Sequence, residues 1–456
     1  MDQRQRSDAP KHSPATRIGP DETEDCTPTL EERVVRERNP VKRFFKLLGP
    51  GVITGAADDD PSAIATYAKA GASFGPSILW MAPVTLPMMA TVVFLSTKVG
   101  MVSGMGLAGV IRRHYPRWVL YPAVVGILIA NIIEAGADIG AMAAALNLFL
   151  PIPASWMIVP LTLIILALQT WGSYQLIQRL FKWLTLALFA YAGAAYLAQP
   201  DLREVLQGTF IPSFRLDSQF LSVLVAVVGT TLSPYLYFWQ ASQAVEEEVA
   251  MGRRRLWQRQ GASKAELSYA AWDVNIGMFF SNLVMYFIIL STAATLFKTG
   301  QTEIKSAADA AQALRPLAGN AAGLLFALGV VGVGFIAVPV LTTGAAYALA
   351  ETLRWRHGLD EQPGDARNFY ASIAIAMLVA MSMNFIGINV IDALFWAAVI
   401  MGLLAPPLML VIMLITNNRA IMGTRVNGLA LNVLGWVTTA AVFAAALALL
   451  WTWGQS

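Results

Sequence analysis

Three consecutive carboxylates, Asp58, Asp59 and Asp60, stand directly before Pro61 in the middle of a long apolar stretch. A charged side chain at a bilayer centre costs roughly 3 kcal/mol on insertion scales, so three in a row do not face lipid. Adjacent carboxylates in a low dielectric also repel, and either a cation sits among them or some hold a proton. Proline removes a backbone donor and clashes with the preceding turn, which frees carbonyl oxygens just upstream. Asp60 therefore lies where free carbonyls, such as that of Ala57, also point. A second interrupted stretch, Gly229-Thr230-Thr231-Leu232-Ser233-Pro234-Tyr235, offers the carbonyl of Thr230 and the hydroxyls of Thr231 and Ser233. An all-oxygen group with one or two carboxylates suits a hard divalent cation such as Mg²⁺, Ca²⁺ or Mn²⁺. The candidate ligands are Asp60, Ala57, Thr230, Ser233 and Asp59. The competing reading is a structural cluster that caps half-helices or pairs with a buried base, but no Lys or Arg lies mid-span to serve as that base.

Glu134 and Asp138, four apart in a third apolar stretch, share one helical face. With Asp58 they form a candidate proton or ion relay beside the central site. The alternative is a pair of carboxyls hydrogen-bonded within the bundle, for example to Asn131. Asp273 and Asp392 fall near the starts of apolar spans, where an acid complements the helix dipole. The run Glu246–Glu248 followed by Arg253–Arg255 reads as a solvated, self-paired surface. Trp80, Trp118, Tyr121, Trp171, Trp451 and Trp453 lie near span ends, as interfacial belts do. Cys26 is the single cysteine, and His12, His114 and His357 all fall outside the apolar spans. A disulfide, a Cys-based metal centre and a buried His relay are thereby excluded. There is no phosphate-binding Gly loop, so no ATP-driven pump is expected.

The elements that position these residues follow from composition. The chain has 456 residues, 56% hydrophobic and only 13% charged, with mean hydropathy +0.55. A typical soluble domain is about 25% charged. Ordinary soluble enzymes, nucleic-acid binders and secreted disulfide scaffolds are excluded, and the chain reads as a polytopic α-helical membrane protein. Residues 1–43 form a polar, charged tail without the apolar core of a signal peptide, expected to be disordered. Residues 44–456 form the membrane domain. Apolar stretches at about 48–70, 77–98, 119–149, 154–173, 181–199, 219–243, 271–297, 320–350, 369–386, 391–416 and 427–453 predict about eleven spans. With the N-terminus inside, 26 of the 32 basic residues fall on the cytoplasmic side, as the positive-inside rule demands. The two interruptions open two five-helix halves, about 48–199 and 219–416, with an extra helix at 427–453. An odd helix count per half inverts one half relative to the other, and matched broken helices in inverted repeats point to a transporter's central site.

The segment Gly49-Pro50-Gly51, Asp60-Pro61-Ser62-Ala63-Ile64-Ala65-Thr66 and Gly71-Ala72-Ser73-Phe74-Gly75 resembles the opening of the Nramp divalent-metal transporters, with their Gly-Pro-Gly and Asp-Pro-Gly-Asn motifs. The second interruption is similar to the family's Gly-Ala-Thr-x-Met-Pro-His, and Ala144-Ala145-Leu146-Asn147-Leu148 is similar to the end of its third helix. The resemblance covers about residues 44–450. It implies the inverted-repeat fold of the sodium-coupled amino-acid transporters, with eleven or twelve helices. Residue by residue, it implies that Asp60 is the metal-binding Asp and that the Ala57 and Thr230 carbonyls are its backbone ligands. Asp138 falls near a helix-3 acid implicated in proton movement.

The departures from that pattern carry information. Ala63 stands where the family has Asn, Ser233 where it has Met, and Tyr235 where it has His. Losing the thioether removes the soft donor that favours transition metals, and some Nramp-related relatives lacking that Met are Mg²⁺ transporters. Asp59 or Asp58 would replace the missing Asn. Without the His, proton coupling is expected to be weak or absent.

These readings converge on a secondary-active or facilitative transporter of a divalent metal ion, Mg²⁺ or Mn²⁺ ahead of softer ions, in the cell (inner) membrane. The metal is substrate, no cofactor or nucleotide is required, and no nucleic acid is a partner; the bilayer is, and the chain is expected to act as a monomer. The alternatives are the same fold moving a small cationic or zwitterionic solute with Na⁺ or H⁺, or a transport-inactive membrane sensor.

Overall fold

Each proline at an interruption sets a helix start. In the computed structural model, which describes residues 50–171, 186–359 and 361–453, the first apolar stretch divides into α1 (Pro50–Asp58) and α2 (Pro61–Phe74). Pro61 occupies the first helical position, where a missing N–H is harmless and φ is already helical. The second interruption divides α9 (Ser218–Thr231) from α10 (Pro234–Ala250) in the same way. Between them run α3 (Met81–Ser103), α4 (Leu107–His114), α5 (Arg117–Leu146), α6 (Ala154–Trp171), α7 (Ala190–Leu197) and α8 (Leu202–Phe210). After α10 come α11 (Lys264–Thr292), α12 (Ala307–Gln312), α13 (Ala322–Leu353), α14 (Arg367–Met383), α15 (Val390–Asn417) and α16 (Leu429–Trp453).

Among the described residues, eight helical segments are long and apolar enough to cross a membrane, the one running Ser218–Ala250 through the second break included. The divided α1–α2 pair and α14, of 17 residues, are shorter. Gly387, at φ +84°, turns the chain between α14 and α15 in a conformation that glycine adopts without strain. The expected tail, Cys26 and the first residues of the fifth expected span lie outside the described residues.

Small residues bring the broken helices against their neighbours. A Cβ on Gly55 would fall 2.6 Å from the Gly277 carbonyl carbon, and one on Gly229 would fall 2.6 Å from Cα of Gly402. Such close backbone approach is how membrane helices gain packing contact when lipid offers no hydrophobic drive between them. Both glycines lie within about a turn of a break, so α1 is seated on α11 and α9 on α15 at the level of the site.

Two expectations need correction. Asp273 does not begin a helix: α11 starts at Lys264 with a Ser263–Glu266 capping box. The Asp273 carboxylate instead accepts from the Gly51 amide of α1 at 2.6 Å, serving the orphan donors of another helix's first turn. Glu246–Glu248 is not a solvated loop but the last turns of α10. Glu248 is buried, 3.7 Å from Arg253, and Glu246 accepts from the Tyr347 hydroxyl at 3.0 Å. Of the aromatic belt residues, Trp118, Trp171 and Trp451 are strongly exposed, whereas Trp80 is buried.

Candidate metal-ion site

Asp60 is the N-cap of α2. Its Oδ1 accepts from the Ala63 amide at 2.7 Å and from the Ser62 hydroxyl at 2.8 Å. Carboxylates are strong N-caps because they satisfy an orphan amide of the first turn, and here the same group is fully buried. Its second oxygen, Oδ2, lies 3.4 Å from the Tyr235 hydroxyl, which donates to the Ala57 carbonyl at 2.8 Å. Tyr235, in the first turn of α10, thus ties the second break to the first.

Ser233 is the N-cap residue of α10 but makes no capping bond. Its hydroxyl turns back and donates to the Thr230 carbonyl at 2.7 Å, with Gly229 O at 3.2 Å. The Thr231 hydroxyl likewise bonds the Val227 carbonyl. Both carbonyls freed by the prolines are therefore occupied by hydroxyls, one from Tyr235 and one from Ser233. A hydroxyl offers two lone pairs as well as its proton and rotates to suit its partner, so these groups can turn oxygen toward a cation.

Asp58 and Asp59 point elsewhere. The Ser281 hydroxyl of α11 lies 3.0 Å from Asp58 Oδ2 and 3.2 Å from Asp59 Oδ1. The triplet is split between two neighbours, one acid at the break and two against α11. No group of three or more His, Cys, Asp or Glu able to hold a metal occurs among the described residues. Glu134 does reach the break, but through Ser62, whose hydroxyl is 2.8 Å from Glu134 Oε1 as well as from Asp60. One hydroxyl proton serves only one of them; the other contact holds when that carboxyl itself donates. Asp138, fully buried, has no hydrogen-bond partner within ordinary geometry at either oxygen among the described residues. Asn131 turns away and donates to Leu341 O at 2.8 Å.

Reasoning from sequence missed Ser62, Ser281 and the direct part played by Tyr235. The signal available was their polarity: each is a hydroxyl in a span that otherwise has no need of one. It also missed the pairing of Thr54 in α1 with Gln240 in α10. A cavity of about 210 Å³ opens beside Pro61, Ile64 and Ala65, walled by apolar side chains of α5, α13 and α15 and covered by Lys305, Ser306 and Ala310.

A helical bundle whose two interrupted members meet at a buried carboxylate has the form of a membrane transporter rather than an enzyme. Residues 51–452 match the Nramp family, described as natural resistance-associated macrophage protein-like, and the chain belongs to that family. Its fold is similar to that of the Eremococcus coleocola manganese transporter, solved in complex with an aromatic bis-isothiourea substituted compound. The TM-score is 0.71 at 19% identity, covering 91% of this chain and 87% of that one. It is also similar to MhsT in complex with L-phenylalanine, with TM-score 0.57, 12% identity and coverage of 88% and 97%. A third likeness is to Mhp1, a nucleobase-cation-symport-1 family transporter in a closed conformation with bromovinylhydantoin bound. There the TM-score is 0.51 at 15% identity, covering 89% and 92%.

Proposed function

We propose that this chain carries a divalent metal ion, Mg²⁺ or Mn²⁺ ahead of softer ions, through a site centred on Asp60. One observation supports it above the rest. The buried Asp60 carboxylate is the charged group at a break whose freed Ala57 carbonyl, held by the Tyr235 hydroxyl until an ion takes it, is a neutral oxygen. The Thr230 carbonyl and Ser233 hydroxyl extend that set from the second break. Hard oxygen donors with little charge suit an ion that keeps part of its hydration shell. The manganese transporter of similar fold supports a divalent ion as cargo. Asp59, Asp58, Glu134 and Asp138 are read as neighbours that set the field around the site, with Glu134 linked through Ser62. The apolar cavity beside Pro61 is read as the approach to the site. We place the chain in the cell membrane with its N-terminus in the cytoplasm, acting as a monomer, with proton coupling weak or absent.

Uptake into proteoliposomes, scanned across Mg²⁺, Mn²⁺, Ca²⁺ and Cd²⁺ with an internal pH reporter, tests the reading. Wild type is expected to import Mg²⁺ or Mn²⁺ without stoichiometric acidification, and Asp60→Ala to import neither. Normal transport by Asp60→Ala would place the site elsewhere. Acidification that Asp138→Asn abolishes would overturn the uncoupled mode alone.

A further inference from the structure

The chain that gathers carboxylates at its centre gathers bases at one end. A cavity of about 620 Å³ lies among the C-terminal turn of α3, the end of α4, the connection into α11 and the connection from α15 to α16. Its lining includes Arg113, His114 and Arg425 and, among the described residues, no acidic side chain. None of the three makes an ion pair among the described residues. One helical turn before Val102, which lines the cavity, Lys98 is only 4% exposed. The hydrogen bond its ammonium makes is to a neutral group, Asn427 Oδ1 at 2.8 Å, and Asn427 belongs to the same α15–α16 connection that carries Arg425. A buried positive charge with no carboxylate partner among the described residues therefore sits beneath a basic concavity.

The concavity is held in shape by the segments that form it. The Gly261 amide donates to Val102 O at 2.9 Å, and Arg425 Nε donates to Ala262 O at 2.9 Å. Val102, Ala262 and Met422 form a small apolar floor. Anchoring through Nε leaves the other guanidinium N–H groups of Arg425 free for a ligand, and that planar fork matches phosphate oxygens. Ser263, also in the lining, is the N-cap of α11, and its amide is already held by Glu266 at 2.7 Å, so the basic side chains and not the helix end supply the attraction. Burial and the neighbouring Arg113 both hold the His114 imidazole below its usual pKa, the mark of a locally positive field.

The surroundings select the kind of anion. The cavity lies at the ends of long apolar helices. Trp118, 76% exposed, follows His114 by four residues, and Leu429, 82% exposed, follows Arg425 by four. A basic cavity flanked by outward-facing apolar side chains offers one surface to a phosphate and the other to acyl chains, and basic pockets of this kind between membrane helices bind lipid head groups. We propose that this cavity binds the phosphate head group of an anionic phospholipid, with Arg113 and Arg425 on the phosphate and Lys98 supplying charge from below. The site is separate from the Asp60 break and does not depend on which ion is carried.

Full-length protein in mild detergent is titrated with phosphatidylglycerol, with phosphatidylcholine and with inorganic phosphate, and bound lipid is read by native mass spectrometry alongside the thermal midpoint. Wild type is expected to retain and be stabilised by phosphatidylglycerol, and by neither of the others. Each basic residue near an anionic lipid surface contributes enough for about a fivefold change. Arg113→Gln, which loses no hydrogen bond among the described residues, should weaken phosphatidylglycerol binding about fivefold, and Arg113→Gln with Arg425→Gln about thirtyfold, while metal uptake in phosphatidylcholine liposomes is unchanged. Equal retention by wild type and the double variant, or equal binding of phosphatidylcholine, would overturn the site. Stabilisation by inorganic phosphate as strong as by lipid would overturn the lipid assignment.

Discussion

The two helix breaks are built from the same device, a proline at the first position of the second half-helix, yet they end in opposite chemistry. At the first break the cap is a carboxylate, and Asp60 makes the bonds a cap should make, to Ala63 and Ser62. At the second the cap is a hydroxyl that makes no capping bond and turns back to the Thr230 carbonyl. One break therefore carries charge with its geometry fixed, and the other carries neutral oxygen that is free to rotate. In the proposed site that difference would let one negative group hold a hard cation without over-binding it: charge comes from one half of the molecule, adjustable dipoles from the other.

Removing the charge alone is the most severe way to break that contrast. Asparagine caps helices about as well as aspartate, so Asp60→Asn should keep the fold and the thermal midpoint. Uptake should nevertheless fall by more than about a hundredfold, beyond what loss of an outer-shell partner costs. Uptake within a few-fold of wild type would show that the carboxylate is only a cap.

Giving the second break a soft donor sharpens the contrast instead. Ser233→Met with Ala63→Asn should raise the apparent affinity for Mn²⁺ or Cd²⁺ relative to Mg²⁺ about tenfold, a change of about 1.4 kcal/mol. Titration calorimetry and uptake on the same variant decide it, and an unchanged ratio would take Ser233 out of the ligand set.

Tyr235 joins the breaks, and Tyr235→Phe removes the hydroxyl that occupies the Ala57 carbonyl. A buried carbonyl left unpaired costs about 1–3 kcal/mol, a cost a bound cation relieves. The metal-free variant should melt earlier than wild type, and saturating metal should raise its midpoint by more. Apparent affinity should tighten about fivefold. A smaller metal-induced shift than wild type would show that Tyr235 is itself needed as a donor.

The smallest effect on transport is expected at Ser281, which serves the two acids turned from the break. Ser281→Ala should lower stability by about 1 kcal/mol, since a buried hydroxyl serving two carboxyls is lost, while ion preference stays the same. A changed preference would return Asp58 or Asp59 to the ion's coordination.

Much of this molecule is written locally. Apolar runs of membrane length, Asp-Pro and Ser-Pro in the middle of two of them, and a near absence of charge elsewhere determine a polytopic helical protein with two broken helices, because bilayer thickness and the geometry of proline act on neighbouring residues. The cluster's polarity is local too: sequence alone named Asp60, Ala57, Thr230, Ser233 and Asp59 as the oxygen donors to consider. Tertiary structure decided where those groups point. That Asp58 and Asp59 turn to Ser281, 223 and 222 residues away, that Ser62 joins Asp60 to Glu134, and that Asp273 caps α1 rather than its own helix all depend on which helices pack together. Side chains on either side of a break leave the backbone in different directions, and only the seating of α1 on α11, set by Gly55 against Gly277, determines which neighbour each one meets.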